Sequence, residues 1–195
     1  ISLVVVAVSA IVSTAIVTLW AYGLWQRRSA ALANTLYLTL VTPEIVLGVA
    51  LLGFFQYLFR WAPLQMGMHT IIAAHISFSI AYVAIVVIAR LRHMEPAYEE
   101  AALDLGATEW QAFYKVTLPM LGPAIASAGL LAFILSFDDY VITSLVAGVD
   151  SQTLPMVIYA MARRGISPVV NAVSTLIIVI LGALILVSER GRQAE

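Results

Sequence analysis

Two adjacent acids stand where an apolar segment ends, in Ser136-Phe137-Asp138-Asp139-Tyr140. A carboxylate holds an ammonium group by charge and hydrogen bonding, and an aromatic ring holds it by its π face. Acids near membrane depth are costly unless they are paired or functional. Asp138, Asp139 and Tyr140 are therefore candidate contacts for a cationic solute at the mouth of a pathway. Two other arrangements use the same residues. The acids could cap a helix or face water, or they could pair with Arg163 or Arg164 and leave no charge for a cation. Glu44 lies inside a second apolar segment and is a further candidate pathway contact. Thr42, Pro43 and Glu44 equally fit the N-cap and first two positions of a restarted helix, where the dipole satisfies the carboxylate. His75 reads as a hydrogen-bonded packing residue, since no second titratable residue lies at helical spacing from it within its segment.

A second polar stretch, Arg92 to Pro119, holds seven of the chain's ten basic and eleven acidic residues. Its spacing predicts two short helices outside the bilayer. Pro96 suits a first turn, and Glu95, Glu99 and Glu100 crowd that end, where the dipole favours negative charge. Tyr98, Ala101, Ala102 and Leu105 recur at helical spacing as a mostly small apolar face. Gly106 stands where a left-handed C-cap would stop the helix. Thr108 with Gln111 forms a capping box for the second helix, and Pro119 is expected to break it and to open the next membrane span.

Catalysis has no residues to work with. The single lysine, Lys115, sits in Phe113-Tyr114-Lys115-Val116 with no glycine near it, so there is no phosphate-binding loop. There is no thiol, no H-E-x-x-H and no G-x-S-x-G. No metal site and no nucleic-acid partner are expected, and the chain reads as a non-enzyme.

The elements that must position these residues are membrane spans. The chain is 62% hydrophobic and 11% charged, with mean hydropathy +0.98, against about 25% charged in a soluble domain. Five segments are long enough to span: about 1–25, 34–59, 69–89, 120–137 and 172–187. Together they make one transmembrane domain over residues 1–195. The stretch from Asp138 to Asn171 is too apolar for a free loop and too short for another span. It reads as a segment folded at the pathway mouth, with Pro155 opening a helix that Gly165 ends. Arg27, Arg28, Arg90, Arg92, Lys115, Arg190 and Arg192 fall on one side, and Arg60, Arg163 and Arg164 on the other. The positive-inside rule puts the first group, and with it the Arg92–Pro119 stretch and the C-terminus, in the cytoplasm.

Glu100-Ala101-Ala102, three residues, Gly106, nine residues, Val116, one residue and Leu118-Pro119 together resemble the cytoplasmic EAA loop of bacterial ABC-importer permeases. Every fixed position of that pattern is present. The resemblance implies an all-α, polytopic membrane helical bundle with a cytoplasmic coupling-helix loop, the ABC type I importer permease fold. It implies that Glu100, Ala101, Ala102, Gly106, Leu118 and Pro119 belong to a helix pair that docks into an ATPase subunit. Permeases of this kind usually carry a further N-terminal span that begins inside, and this chain is expected to lack it.

The stretch from Ser136 to Ala172 resembles the matching region of spermidine/putrescine permeases. The supporting residues are Ser136-Phe137-Asp138-Asp139, the Gly148 turn, Thr153-Leu154-Pro155, Ile158-Tyr159, Gly165, Ser167-Pro168 and Asn171-Ala172. Pro43-Glu44 and His75-Ile76 extend it. The implied protein is an inner-membrane subunit of an ATP-driven importer for a small cationic solute, in contact with lipid. Its implied partners are a dimer of ATPase subunits, a second permease subunit and a periplasmic solute-binding protein. It needs no cofactor of its own, ATP and Mg being bound by the partner ATPase. Other classes the residues allow are an importer of another small solute and a secondary transporter. The latter would need paired intramembrane acids in matching halves, and Glu44 with His75 makes no such pair.

This reading fixes a topology: residues 26–33 and 95–118 face the cytoplasm and Ser151 the periplasm. The chain has no cysteine, so a Glu109→Cys variant gives a single label site. It should resist an impermeant thiol reagent in intact cells and react in inverted vesicles. Labelling from outside would reverse the topology.

Overall fold

The computed structural model describes residues 1–26 and 40–165, with part of the stretch 168–179. Every regular element among them is a helix. They are α1 (Ser2–Gln26), α2 (Glu44–Phe59), α3 (Met68–Arg92), α4 (Ala97–Asp104), α5 (Glu109–Ala112), a π turn (Phe113–Thr117), α6 (Leu118–Asp138), α7 (Val141–Val146) and α8 (Leu154–Arg164). The chain divides into two compact units, Ile1–Pro155 and Met156–Glu195. In the second, Arg163 lies over the Tyr159 ring of its own helix, 5.1 Å from the centroid. The fifth expected span and the arginines at 27, 28, 190 and 192 lie outside the described residues or mostly so.

In the first unit α1, α3 and α6 pack on one another, and α2 packs on α7. Among the described residues three stretches, Ser2–Gly23, Met68–Arg92 and Glu109–Asp138, are long and apolar enough to cross a membrane. Small residues at helical spacing, Ala10, Ser13 and Ala21 on α1, Ala74, Ala81 and Ala84 on α3, and Ala128 and Ala132 on α6, are buried together with larger ones such as Val17, Val83, Val87, Leu91 and Leu121. Lipid tails are as apolar as leucine, so close backbone approach, not exclusion of water, favours such packing. The buried Ser9 of α1 donates across to the Ile72 carbonyl of α3 at 3.4 Å, and other hydroxyls turn back to their own helix. Thr18 donates to the Thr14 carbonyl at 2.7 Å and Ser127 to that of Pro123 at 2.9 Å.

Two local expectations change. Pro119 does not break the second helix of the polar stretch. Glu109–Asp138 runs on as one helix, and the proline is absorbed by the π turn ahead of it. There the Leu118 amide reaches back to the Phe113 carbonyl. The wider turn relieves the clash a proline ring makes with the carbonyl four residues earlier. At the head of α2 the N-cap is Pro43, in extended conformation without a side-chain cap, and Glu44 is the first helical residue. The other local features stand as read. Gly106 and Gly165 have φ of 88° and 106°, and Thr108 and Gln111 form their reciprocal capping box.

Beyond α7 the chain folds back over the end of α3. Thr70 donates to the Val146 carbonyl at 2.7 Å, and Ser151 is buried, its hydroxyl bonded to Gly148. The exposed neighbour Val149 is therefore the residue of this loop to label. Gly148 sits so tightly on the Met66 backbone that a Cβ would fall 1.9 Å from the Met66 carbonyl oxygen. Gly148→Ala should destabilise by about 1–3 kcal/mol or more, read as a lower thermal midpoint of the purified permease in detergent. Gly53→Ala is the control, because nothing lies within 4 Å of its added methyl. Equal midpoints for the two variants would contradict the packing.

Candidate functional site

α6 stops at Asp138 and α7 starts at Val141, so the chain breaks helix inside an otherwise apolar region. Asp139 is extended, with φ −66° and ψ 123°. Its carboxylate accepts the amides of Ile142 at 3.2 Å and Thr143 at 2.8 Å, and the Thr143 hydroxyl at 2.6 Å. It thereby satisfies the free donors at the head of α7. His75, 1% exposed, spans the break from α3. Its Nδ1 lies within hydrogen-bond distance of Ser136 Oγ on α6, and its Nε2 lies 2.8 Å from Thr143 Oγ1 on α7 and 3.4 Å from Asp139 Oδ2. The sequence reading of His75 as hydrogen-bonded and packed agrees with this. What that reading lacked was the partners, Ser136 and Thr143, polar residues in two other apolar stretches. Their polarity was the available signal.

Asp138 behaves differently from its neighbour. It is exposed and has no hydrogen-bond or ion-pair partner among the described residues. It lines a cavity of about 220 Å³ together with Glu44, Asp139, Tyr140, Phe78 and Tyr82. Glu44 likewise lacks a partner among the described residues. The four pathway candidates read from the sequence are thus brought to one cavity, from α2, the end of α6 and the break. Phe78 and Tyr82, from α3, were not singled out. Their rings lie edge to face with centroids 6.4 Å apart.

Among the described residues the lining contains three carboxylates and no lysine or arginine. Asp139 is committed to the helix break, which leaves the carboxylates of Asp138 and Glu44. Asp138 is the last residue of α6, where unsatisfied carbonyls form the negative end of the helix dipole. A carboxylate there is unfavourable alone and favourable with a cation beside it. Acids and aromatic faces in one cavity are the groups that bind ammonium.

At the opposite end of α6 lies the polar loop. Glu100 and Ala101 are exposed and Ala102 is half-buried, and the neighbouring Tyr98 and Leu105 are 52% and 90% exposed. Gly106 turns the chain from α4 toward α5. Leu118 and Pro119 sit at the junction of the π turn and α6.

The model of the family "binding-protein-dependent transport system inner membrane component" matches residues 14–190. The chain belongs to this family. It is a multi-pass membrane protein with the all-α bundle of ABC type I importer permeases, a family of transport components and not of enzymes. Over 159 residues, 80% of the chain, it is 45% identical to the putrescine transport system permease protein PotI of Escherichia coli K12, covering 56% of that protein. Over 191 residues, 96% of the chain, it is 34% identical to the spermidine/putrescine transport system permease protein PotC of the same organism, covering 71%. The PotC protein of Haemophilus influenzae is 36% identical over 163 residues, 84% of this chain and 62% of its own length. The chain thus spans little more than half the length of PotI.

The different duties of the two acids predict different failures. Asp139→Ala removes a cap that contributes about 0.5–2 kcal/mol and strands buried donors at roughly 1–3 kcal/mol. It should lower the thermal midpoint and the folded yield. Asp138→Ala should change stability by no more than about 0.5 kcal/mol. Equal losses in thermal unfolding of the two variants would refute the division.

Proposed function

We propose that this chain is a transmembrane permease subunit of an ATP-driven importer for polyamines. The carrying observation is the cavity in which, among the described residues, Asp138 and Glu44 stand beside aromatic rings with no partner and no basic residue. A polyamine is a flexible rod with ammonium groups along it. Two separated carboxylates match two ammonium groups, and Phe78, Tyr82 and Tyr140 flank the methylene stem between them. The similarity to the putrescine permease PotI supports the same solute class.

In this reading the solute arrives from a periplasmic binding protein and passes between this subunit and a second permease subunit. The loop from Glu95 to Leu118 and the C-terminus are cytoplasmic. Glu100, Ala101 and Ala102 dock into a dimer of ATPase subunits, which bind ATP and Mg. Small side chains permit the close approach, the exposed Tyr98 and Leu105 supply apolar area, and Gly106 fixes the angle between α4 and α5. Glu44 has two uses at once, one at the head of α2 and one toward the cavity.

The test is uptake of radiolabelled putrescine or spermidine, normalised to the complex in the membrane. A charge-assisted hydrogen bond contributes about 1.5–3 kcal/mol, and each ~1.4 kcal/mol is tenfold. Asp138→Asn and Glu44→Gln should each lower normalised uptake about tenfold or more, with expression and ATPase association intact. Asp138→Glu should retain more activity than Asp138→Asn. Unchanged uptake in the double Asp138→Asn, Glu44→Gln variant would remove the cation-receiving role.

A further inference from the structure

Glu99 directly precedes Glu100-Ala101-Ala102, yet it faces the opposite way. It is 8% exposed, whereas Glu100 and Ala101 are exposed. Tyr22, in the last turns of α1, donates its hydroxyl to Oε1 at 2.6 Å. Thr117, the last residue of the π turn, donates to Oε2 at 2.9 Å. The Tyr22 ring packs on Phe113, centroid to centroid 4.3 Å, and Phe113 is itself 1% exposed. One carboxylate therefore joins the docking helix α4, the end of α1 and the root of α6.

A carboxylate is a costly way to fill space, since burying it requires hydrogen-bond donors in place. What it adds over an apolar residue is a directional link to two elements at once. α6 runs as one helix from that link to Asp138, with Pro123 inside it, so Thr117 and the helix break at the cavity stand at the two ends of a single element. α4 itself is only eight residues long; Glu100 and Ala101 are exposed, while Ala102, three residues on from Glu99, is half-buried on the side that holds it.

We propose that Glu99 is the latch through which motion of the docking helix is delivered to α1 and α6. It is a positioning residue for energy coupling, and the proposal rests on the coupling-loop reading given above. A severed latch leaves the complex assembled and hydrolysing ATP, with less solute moved per ATP.

The experiment uses the full transporter in proteoliposomes, with the binding protein and radiolabelled putrescine, and records uptake and ATP hydrolysis together. Tyr22→Phe and Thr117→Val each delete one donor with little change of shape. Each should keep normal complex recovery and lower uptake per ATP by about tenfold, the equivalent of ~1.4 kcal/mol. Thr117→Ser keeps the hydroxyl and should restore the wild-type ratio. Glu99→Gln should fall between. A wild-type ratio in both Tyr22→Phe and Thr117→Val overturns the latch and leaves the coupling loop standing. Loss of complex with an unchanged ratio in the remainder also overturns it, making Glu99 a structural anchor only. A wild-type permease that recovers no ATPase overturns the coupling-loop reading and the latch with it.

Discussion

A helix that stops within an apolar environment leaves amides and carbonyls with no water to meet them. The break between α6 and α7 is governed by that constraint. Asp139 answers the amides of Ile142 and Thr143, and His75 holds Ser136 on one side of the break and Thr143 on the other. With those groups satisfied, α7 can turn back along α2, and Gly48 lets it approach. A Cβ on Gly48 would come within 2.6 Å of the Leu145 side chain. The free carbonyl end of α6 and the carboxylate of Asp138 then share one cavity, and both attract positive charge. The proposed solute site is in this reading a consequence of how the break is stabilised.

The other end of α6 solves a related problem by different means. A proline near the start of a long helix removes a hydrogen bond and crowds the preceding turn. The π turn from Phe113 to Thr117 takes up that crowding without ending the helix. The same turn presents Thr117 to Glu99 and Phe113 to Tyr22. Both ends of α6 thus depart from regular α geometry, and each departure is joined by a buried acid to a different part of the chain. Between them the helix is continuous despite Pro123 inside it, with Ala128 and Ala132 buried against its neighbours.

Much of the local structure was legible in the sequence. Gly106 sits at positive φ because the helix before it must end in a left-handed residue, and that need is written in five or six neighbouring residues. The capping box of Thr108 and Gln111 is likewise a matter of three-residue spacing. The long apolar runs announced the spans, and the EAA spacing announced the family. Glu44, Asp138, Asp139 and Tyr140 were legible as candidates because an acid is conspicuous in an apolar run. Their division of labour was not legible, since capping, pairing and solute contact use the same carboxylate.

What the sequence determined by itself is what depends on neighbours within a turn or two: the Gly106 helix end, the Thr108 cap, the membrane-spanning character and the EAA loop. Tertiary structure alone decided which acid caps and which faces the cavity, because the answer depends on His75, 64 positions away along the chain from Asp139. It also decided that Phe78 and Tyr82 join Glu44 in one cavity, and that Glu99 points inward while Glu100 points out. The physical reason is that hydrogen bonds are short and directional, so a carboxylate's role is set by whichever donors the fold brings within about 3 Å. Those donors come from helices that periodicity can predict but whose facing only packing can fix.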